Sequence, residues 1–172
     1  MKVIFLDIDG VLNNQIWLSG WKDYLELTKG NIDHEQRRWF DHRCVNLLNE
    51  LTEETEAKIV VSSSWRNGRS LEDLQKLFKE IGIEGEVIGK TPQLYFNGLE
   101  NYNYSVPRGC EIKAWLETNK SILGEKMSRL KYVIFDDDSD MLYWQRNNFL
   151  WVDPYSGLTP SIIYKAKLIL NA

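Results

Sequence analysis

The chain has 172 residues, 43% hydrophobic and 27% charged, with a formal net charge of −4. A chain this long buries roughly 70% of the surface its unfolded form exposes, so it can hold a core without staples. The 12% of aromatic residues and the four prolines exclude disorder over much of the length, the short apolar runs exclude a membrane-spanning helix, and the acidic balance argues against a protein that coats nucleic acid through bulk charge.

Val3-Ile4-Phe5-Leu6 is a short apolar run ended by Asp7, the length of a strand buried on both faces. Residues 12–39 are irregular and hold Trp17, Trp21 and Trp39, expected as anchors of core or flap. Phe40, Cys44, Leu47, Leu48 and Leu51 recur at helical spacing. Ile59-Val60-Val61 is a second buried strand running into Ser62-Ser63-Ser64. Ser70 is the expected N-cap of the next helix, with Asp73 at the capping-box position, an apolar stripe from Leu71 to Ile81, and Gly82 as its stop. Glu86-Val87-Ile88 reads as a strand and residues 90–107 as loop. A helix from about Gly109 buries Ile112, Trp115 and Leu116. Tyr132-Val133-Ile134-Phe135 is another buried strand, ended by Asp136-Asp137-Asp138. A short helix with Met141 and Trp144 follows, then the strand Phe149–Val152. Thr159-Pro160 opens a C-terminal helix carrying Ile162, Ile163 and Ala166. Trp115, Trp144 and Trp151 are expected in the core.

Short apolar strands alternating with amphipathic helices predict an α/β fold in one domain over residues 1–172, a Rossmann-like parallel sheet with helices on both faces. The opening residues meet acidic side chains at once and do not read as a secretory leader. Cys44 and Cys110 lack metal spacing and are expected as free thiols in a reducing cytoplasm. His34 and His42, eight apart, make no zinc pattern.

Ligands of such sheets sit beyond the carboxyl ends of the strands, where Asp7, Ser62 and Asp136-Asp137 stand. In Asp7-Ile8-Asp9-Gly10, residues i and i+2 point to one side, so Asp7 and Asp9 can converge while Gly10 lets the chain turn away. Carboxylates held together repel unless a cation joins them, and hard oxygen ligands suit Mg²⁺. Asp136 and Asp137 can add oxygens from another strand end. A Ca²⁺ loop is excluded, since Val11 and Leu18 in the first cluster, and Met141 and Asn147 in the second, stand where that loop needs other residues.

An apolar strand plus DxDG, a second strand ending in serine, a basic residue at a helix start and a third strand ending in DD together resemble the haloacid dehalogenase superfamily of phosphohydrolases. FLDIDGVLN, VVSSSWR, PRGCEIKAW and IFDDDSDM look most like the small phosphatase domains of RNA-repair and polynucleotide kinase-phosphatase proteins. The resemblance implies that Asp7 is the nucleophile and Asp9 the general acid and then base. It implies Mg²⁺ held by Asp7, the Asp9 main-chain carbonyl and Asp137, with Asp136 close by. Ser62 and the Ser63 backbone N–H would hold phosphoryl oxygens, and Arg108 would stabilise charge on the transferring group. Lysine is commoner in that last role, so Lys113 is the second candidate. Either Asp136 or Asp137 can be the direct metal ligand, with Asp137 preferred, and Asp140 is expected to cap or orient its loop.

Superfamily members select substrates with inserted caps. Here only residues 12–39 and 90–107 are left over from the core elements, too few for an independent lid, so the expectation is a nearly capless enzyme with flaps. The second flap carries Tyr95, Phe96, Tyr102 and Tyr104 and few charges, which suits stacking on a base. Arg66, four residues past Ser62, is expected to reach over the pocket to a phosphate; its bland alternative is a surface pair with Glu72. The function expected is an Mg²⁺-dependent phosphomonoester hydrolase with an aspartyl-phosphate intermediate, acting on a nucleotide or nucleic-acid phosphate end. The alternatives are a phosphatase of other small esters or phosphoproteins, and a non-catalytic binding module of the same fold.

Overall fold

The computed structural model describes residues 1–20, 39–97, 103–123 and 130–172. Five strands form one all-parallel sheet: β1 (Lys2–Leu6), β2 (Lys58–Val61), β3 (Val87–Lys90), β6 (Lys131–Asp136) and β7 (Phe149–Trp151), in the order β3-β2-β1-β6-β7. Strand β1 is central. It pairs with β2 from Val3↔Lys58 to Leu6↔Val61 and with β6 from Lys2↔Lys131 to Leu6↔Phe135. The ends of three apolar runs distant in sequence therefore lie side by side.

Alternate strand residues serve two cores, which is why the runs are apolar throughout rather than every second residue. Ile4, Leu6, Ile59, Val61, Val133 and Phe135 pack with three helices, α1 (His42–Thr55), α2 (Leu71–Glu80) and α4 (Pro160–Asn171). Val3, Phe5, Val60 and Ile134 pack with Ile112 and Trp115 of α3 (Arg108–Leu123). Helices thus cover both faces, as the alternation predicts. Their ends follow the local chemistry. Ser70 and Asp73 form a reciprocal capping box on α2, and Thr159 caps α4 with Pro160 in its first turn. Asp41 caps α1 by accepting from the Arg43 backbone N–H.

The structure departs from the sequence expectations in several places, and residues 15–20, within the segment expected to be irregular, are helical. Residues 90–107 are not all loop: β4 (Tyr95–Asn97) and β5 (Asn103–Ser105) form an antiparallel hairpin. The expected helix around Met141 is a single 3₁₀ turn, Tyr143–Gln145, tied to α3 by the Gln145 side chain donating to the Gly109 carbonyl. Trp115 is in the core, but Trp144 and Trp151 are 59% and 51% exposed, because β7 is an edge strand and the turn before it is uncovered. Trp39 is exposed as well, while Trp17 packs edge-on against His42. The expectations for Trp21, His34 and Tyr102 lie outside the described residues. Cys44 and Cys110 are unbridged. No helix among the described residues is long and apolar enough to cross a membrane.

Candidate active site

The carboxyl ends of β1 and β6 bring three aspartates together. One carboxylate oxygen from each of Asp7, Asp136 and Asp137 lies within 4.8 Å of the other two. Burial pushes the Asp7 carboxyl up to about 6, against opposing pulls from a Ser63 hydrogen bond and the Arg108 charge. Burial, and then the charge of Asp7, push Asp136 up to about 8. Asp137 is also raised, by burial and by the charges of Asp138 and Asp9. These carboxyls strain against sharing one place as anions. Asp136 Oδ1 accepts from the Asp138 backbone N–H, whereas the buried Oδ2 has no hydrogen-bond partner. A buried carboxylate oxygen that takes no hydrogen bond, among crowded carboxylates, fits a hard divalent cation.

Gly10 makes this convergence possible. Its φ is +73°, and a Cβ there would stand 2.6 Å from Asp137 Cγ. Only a residue without a side chain lets the chain leave β1 and still admit Asp137.

Asp9 is exposed and oriented from two sides. Asn13 Nδ2 donates to its Oδ1 at 2.8 Å, and the Trp65 indole N–H lies 3.0 Å from both carboxylate oxygens. Asn13 Oδ1 accepts from the Gly10 N–H, so the same side chain closes the turn. Trp65 is itself pinned, with Phe40 edge-on at 5.3 Å and the Arg69 guanidinium over the ring at 5.5 Å.

Ser62 and Ser63 are buried at the end of β2, and the Ser62 hydroxyl has no hydrogen-bond partner. Arg108, the first residue of α3, is partly buried. Its Nη1 donates to Glu111 at 2.9 Å and its Nε lies 3.8 Å from Asp136 Oδ2. Asp140 does orient its loop: its carboxylate and its carbonyl accept from the Arg108 and Gly109 backbone N–H groups at the start of α3.

Two expected substrate contacts are elsewhere. Arg66 neither reaches over the pocket nor pairs with Glu72. It is 4% exposed, and four of its N–H donors go to the carbonyls of Ser63, Thr91 and Pro92 and to Glu111. A buried acid competes for the guanidinium better than solvent does. Lys113 is not the basic residue at the cluster. It points to solvent, paired with Glu117 at 3.6 Å and set 5.8 Å from the centre of the Trp144 ring.

Asn13, Trp65 and Glu111 are site residues that sequence reasoning missed. Asn13 stands four residues past Asp9 and Glu111 three past Arg108, spacings that favour side-chain contact in a turn and on a helix.

A family model described as the HAD domain in Swiss Army Knife RNA repair proteins matches residues 3–162. The chain belongs to this family. Searches of curated proteins and of solved structures gave no match. The match runs from β1 through the first turn of α4, so it takes in every strand end that builds the aspartate cluster of this HAD domain.

Proposed function

We propose that this HAD domain is an Mg²⁺-dependent phosphomonoester hydrolase that works through an aspartyl-phosphate and acts on a nucleotide or a nucleic-acid phosphate end. The observation that carries the reading is the convergence of Asp7, Asp136 and Asp137, with Arg108 and the oriented Asp9 beside them.

Asp7 attacks phosphorus, and the bond from phosphorus to the leaving oxygen breaks as that oxygen takes a proton from Asp9. The Asp9 carboxylate then takes a proton from water; the resulting hydroxide attacks phosphorus, and phosphate leaves with Asp7 restored. Arg108 and the Ser62 hydroxyl hold the phosphoryl oxygens as charge shifts onto them. Mg²⁺ held by Asp7, Asp137 and the Asp9 carbonyl, with Asp136 alongside, would offset the repulsion between the Asp7 carboxylate and the phosphate. An acid at Asp9 favours rapid turnover of the aspartyl-phosphate and argues against a pure binding module.

The substrate class rests on the rim. The Trp151 indole N–H donates to the Asp137 main-chain carbonyl at 2.8 Å, which fixes an exposed aromatic ring against the backbone of a cluster residue. Tyr95, on the hairpin, is exposed as well. An aromatic face beside a phosphate site, as Trp151 offers, suits a base. The family's description, with its RNA repair proteins, agrees.

The test is phosphate release, with Mg²⁺ and with chelator, from nucleoside monophosphates, phosphorylated oligonucleotides, sugar phosphates, phosphopeptides and an aryl phosphate. Chelator-sensitive release that is fastest from the nucleotide or oligonucleotide esters is expected. No release from any ester under any divalent metal would leave a binding module.

A further inference from the structure

Glu111 is a buried acid that the reaction as written does not use. Its Oε2 accepts from Arg66 at 2.5 Å and from Arg108 at 2.9 Å, and its Oε1 accepts from the Leu94 backbone N–H at 3.0 Å, at the foot of the hairpin. A carboxylate buried this deeply needs such partners, and two arginines more than offset its charge. The outcome for Arg108 is specific. A guanidinium is a rigid fork that binds a carboxylate best through two parallel N–H groups. Arg108 has two buried carboxylates within reach. It gives a hydrogen bond to Glu111, while its Nε stays 3.8 Å from Asp136 Oδ2, beyond hydrogen-bond range. The Asp136 oxygen is thereby left without a hydrogen bond, with only the looser ion-pair contact to Arg108 Nε, and the Nη2 edge of Arg108 has no protein partner among the described residues.

We infer that Glu111 is a positioning residue that competes with Asp136 for Arg108, keeping the Asp136 carboxylate open for a divalent cation and the guanidinium edge open for phosphoryl oxygens. Without Glu111, the nearest anion for Arg108 is Asp136, and closing that pair removes both openings at once. The Leu94 hydrogen bond ties the same carboxylate to the hairpin, so the foot of the flap and the posture of Arg108 are set by one side chain. The inference rests on the proposed phosphatase reading for its chemistry, but not for its test.

The experiment is a double-mutant cycle read by cation binding: the rise in melting temperature on titrating Mg²⁺, for the parent, Glu111→Gln, Arg108→Ala and the pair. Glu111→Gln is expected to weaken Mg²⁺ binding about tenfold, a loss the size of one buried charge-assisted hydrogen bond. In the Arg108→Ala background the same change is expected to cost almost nothing, because no arginine remains to close on Asp136. A penalty that persists undiminished without Arg108 would mean that Glu111 acts by through-space charge or by folding alone, and would overturn the inference. Should Glu111→Gln fold poorly, Glu111→Asp, one carbon shorter with its charge retained for Arg66, is expected to give the same pattern in smaller measure. A parent that binds Mg²⁺ yet hydrolyses no phosphate ester would sink the phosphatase reading and leave this cycle interpretable. A parent that binds no Mg²⁺ would sink both.

Discussion

Gly10 and Asp137 occupy space that no side chain at residue 10 could share: a Cβ on Gly10 would stand 2.6 Å from Asp137 Cγ, on a backbone whose φ is +73°. Gly10→Ala is therefore expected to lose about 1–2 kcal/mol from the left-handed backbone alone, more from the contact, and to weaken Mg²⁺ binding as Asp137 moves away. Denaturant midpoints and Mg²⁺ titration check this. A stable Gly10→Ala protein with unchanged cation affinity would show that Asp137 is not needed in place.

Asp7→Asn is expected to remove turnover while leaving the fold intact, since the amide keeps the size of the side chain but lacks the carboxylate proposed as nucleophile and cation ligand. Asp9→Asn should slow turnover about 10²-fold or more, as for lost acid–base assistance. Substantial activity in Asp7→Asn at parental stability would reassign the nucleophile.

The raised carboxyls give the cation-free protein a definite pH dependence. Asp7 and Asp136 hold their protons more tightly folded, at about 6 and about 8, than the ordinary 3.8 of the unfolded chain. Their contribution to stability is thus full below the unfolded value and is lost as pH rises through the folded ones. In chelator, the melting temperature is expected to fall by several degrees between about pH 5 and about pH 8.5, with Asp136→Asn flattening the decline. Mg²⁺, which competes with those protons, should stabilise more at the upper end. A Mg²⁺ effect larger at pH 5 would contradict the cluster as the binding place.

Trp65→Phe keeps a ring between Phe40 and Arg69 but removes the N–H shared by the two Asp9 oxygens. Because Asp9 is exposed and water can replace the donor in part, the expected loss is modest. It is about 3- to 10-fold in kcat with KM unchanged, and larger when Asn13→Ala is added. A change confined to KM would make Trp65 a substrate contact instead.

The exposed Trp151 ring bears on the substrate. Stacking on a base is worth about 1–3 kcal/mol, so Trp151→Ala should raise KM roughly 5- to 100-fold for an oligonucleotide whose phosphorylated nucleotide carries a base. An abasic equivalent should be little affected. Equal losses on both would assign Trp151 to holding the Asp137 loop.

What the sequence makes legible follows the range of the forces involved. Val3–Leu6, Ile59–Val61 and Tyr132–Phe135 are readable because burial on both faces leaves no polar residue in the run, and their ends put Asp7, Ser62 and Asp136 on one edge. Ser70 with Asp73 and Thr159 with Pro160 are readable because caps are local. Arg66 is not, because the acid that draws it inside stands 45 residues away. Trp144 and Trp151 are misread because an apolar pattern does not say which strand is the edge. The hairpin strands are three residues each, too short for alternation to register.

The sheet order carries a consequence for how the molecule comes into being. Asp7 meets Asp136 and Asp137 only when β1 pairs with β6, a strand that begins at Lys131. Parallel pairing across so long a stretch of chain closes late, after the loop entropy has been spent on few local rewards. During synthesis the first strand would thus wait for most of the chain before its aspartate acquired any of these neighbours. Cation binding at this edge would accordingly be a signal of completed folding, and a truncated product lacking the last third would carry the Asp7 motif without the aspartates that meet it.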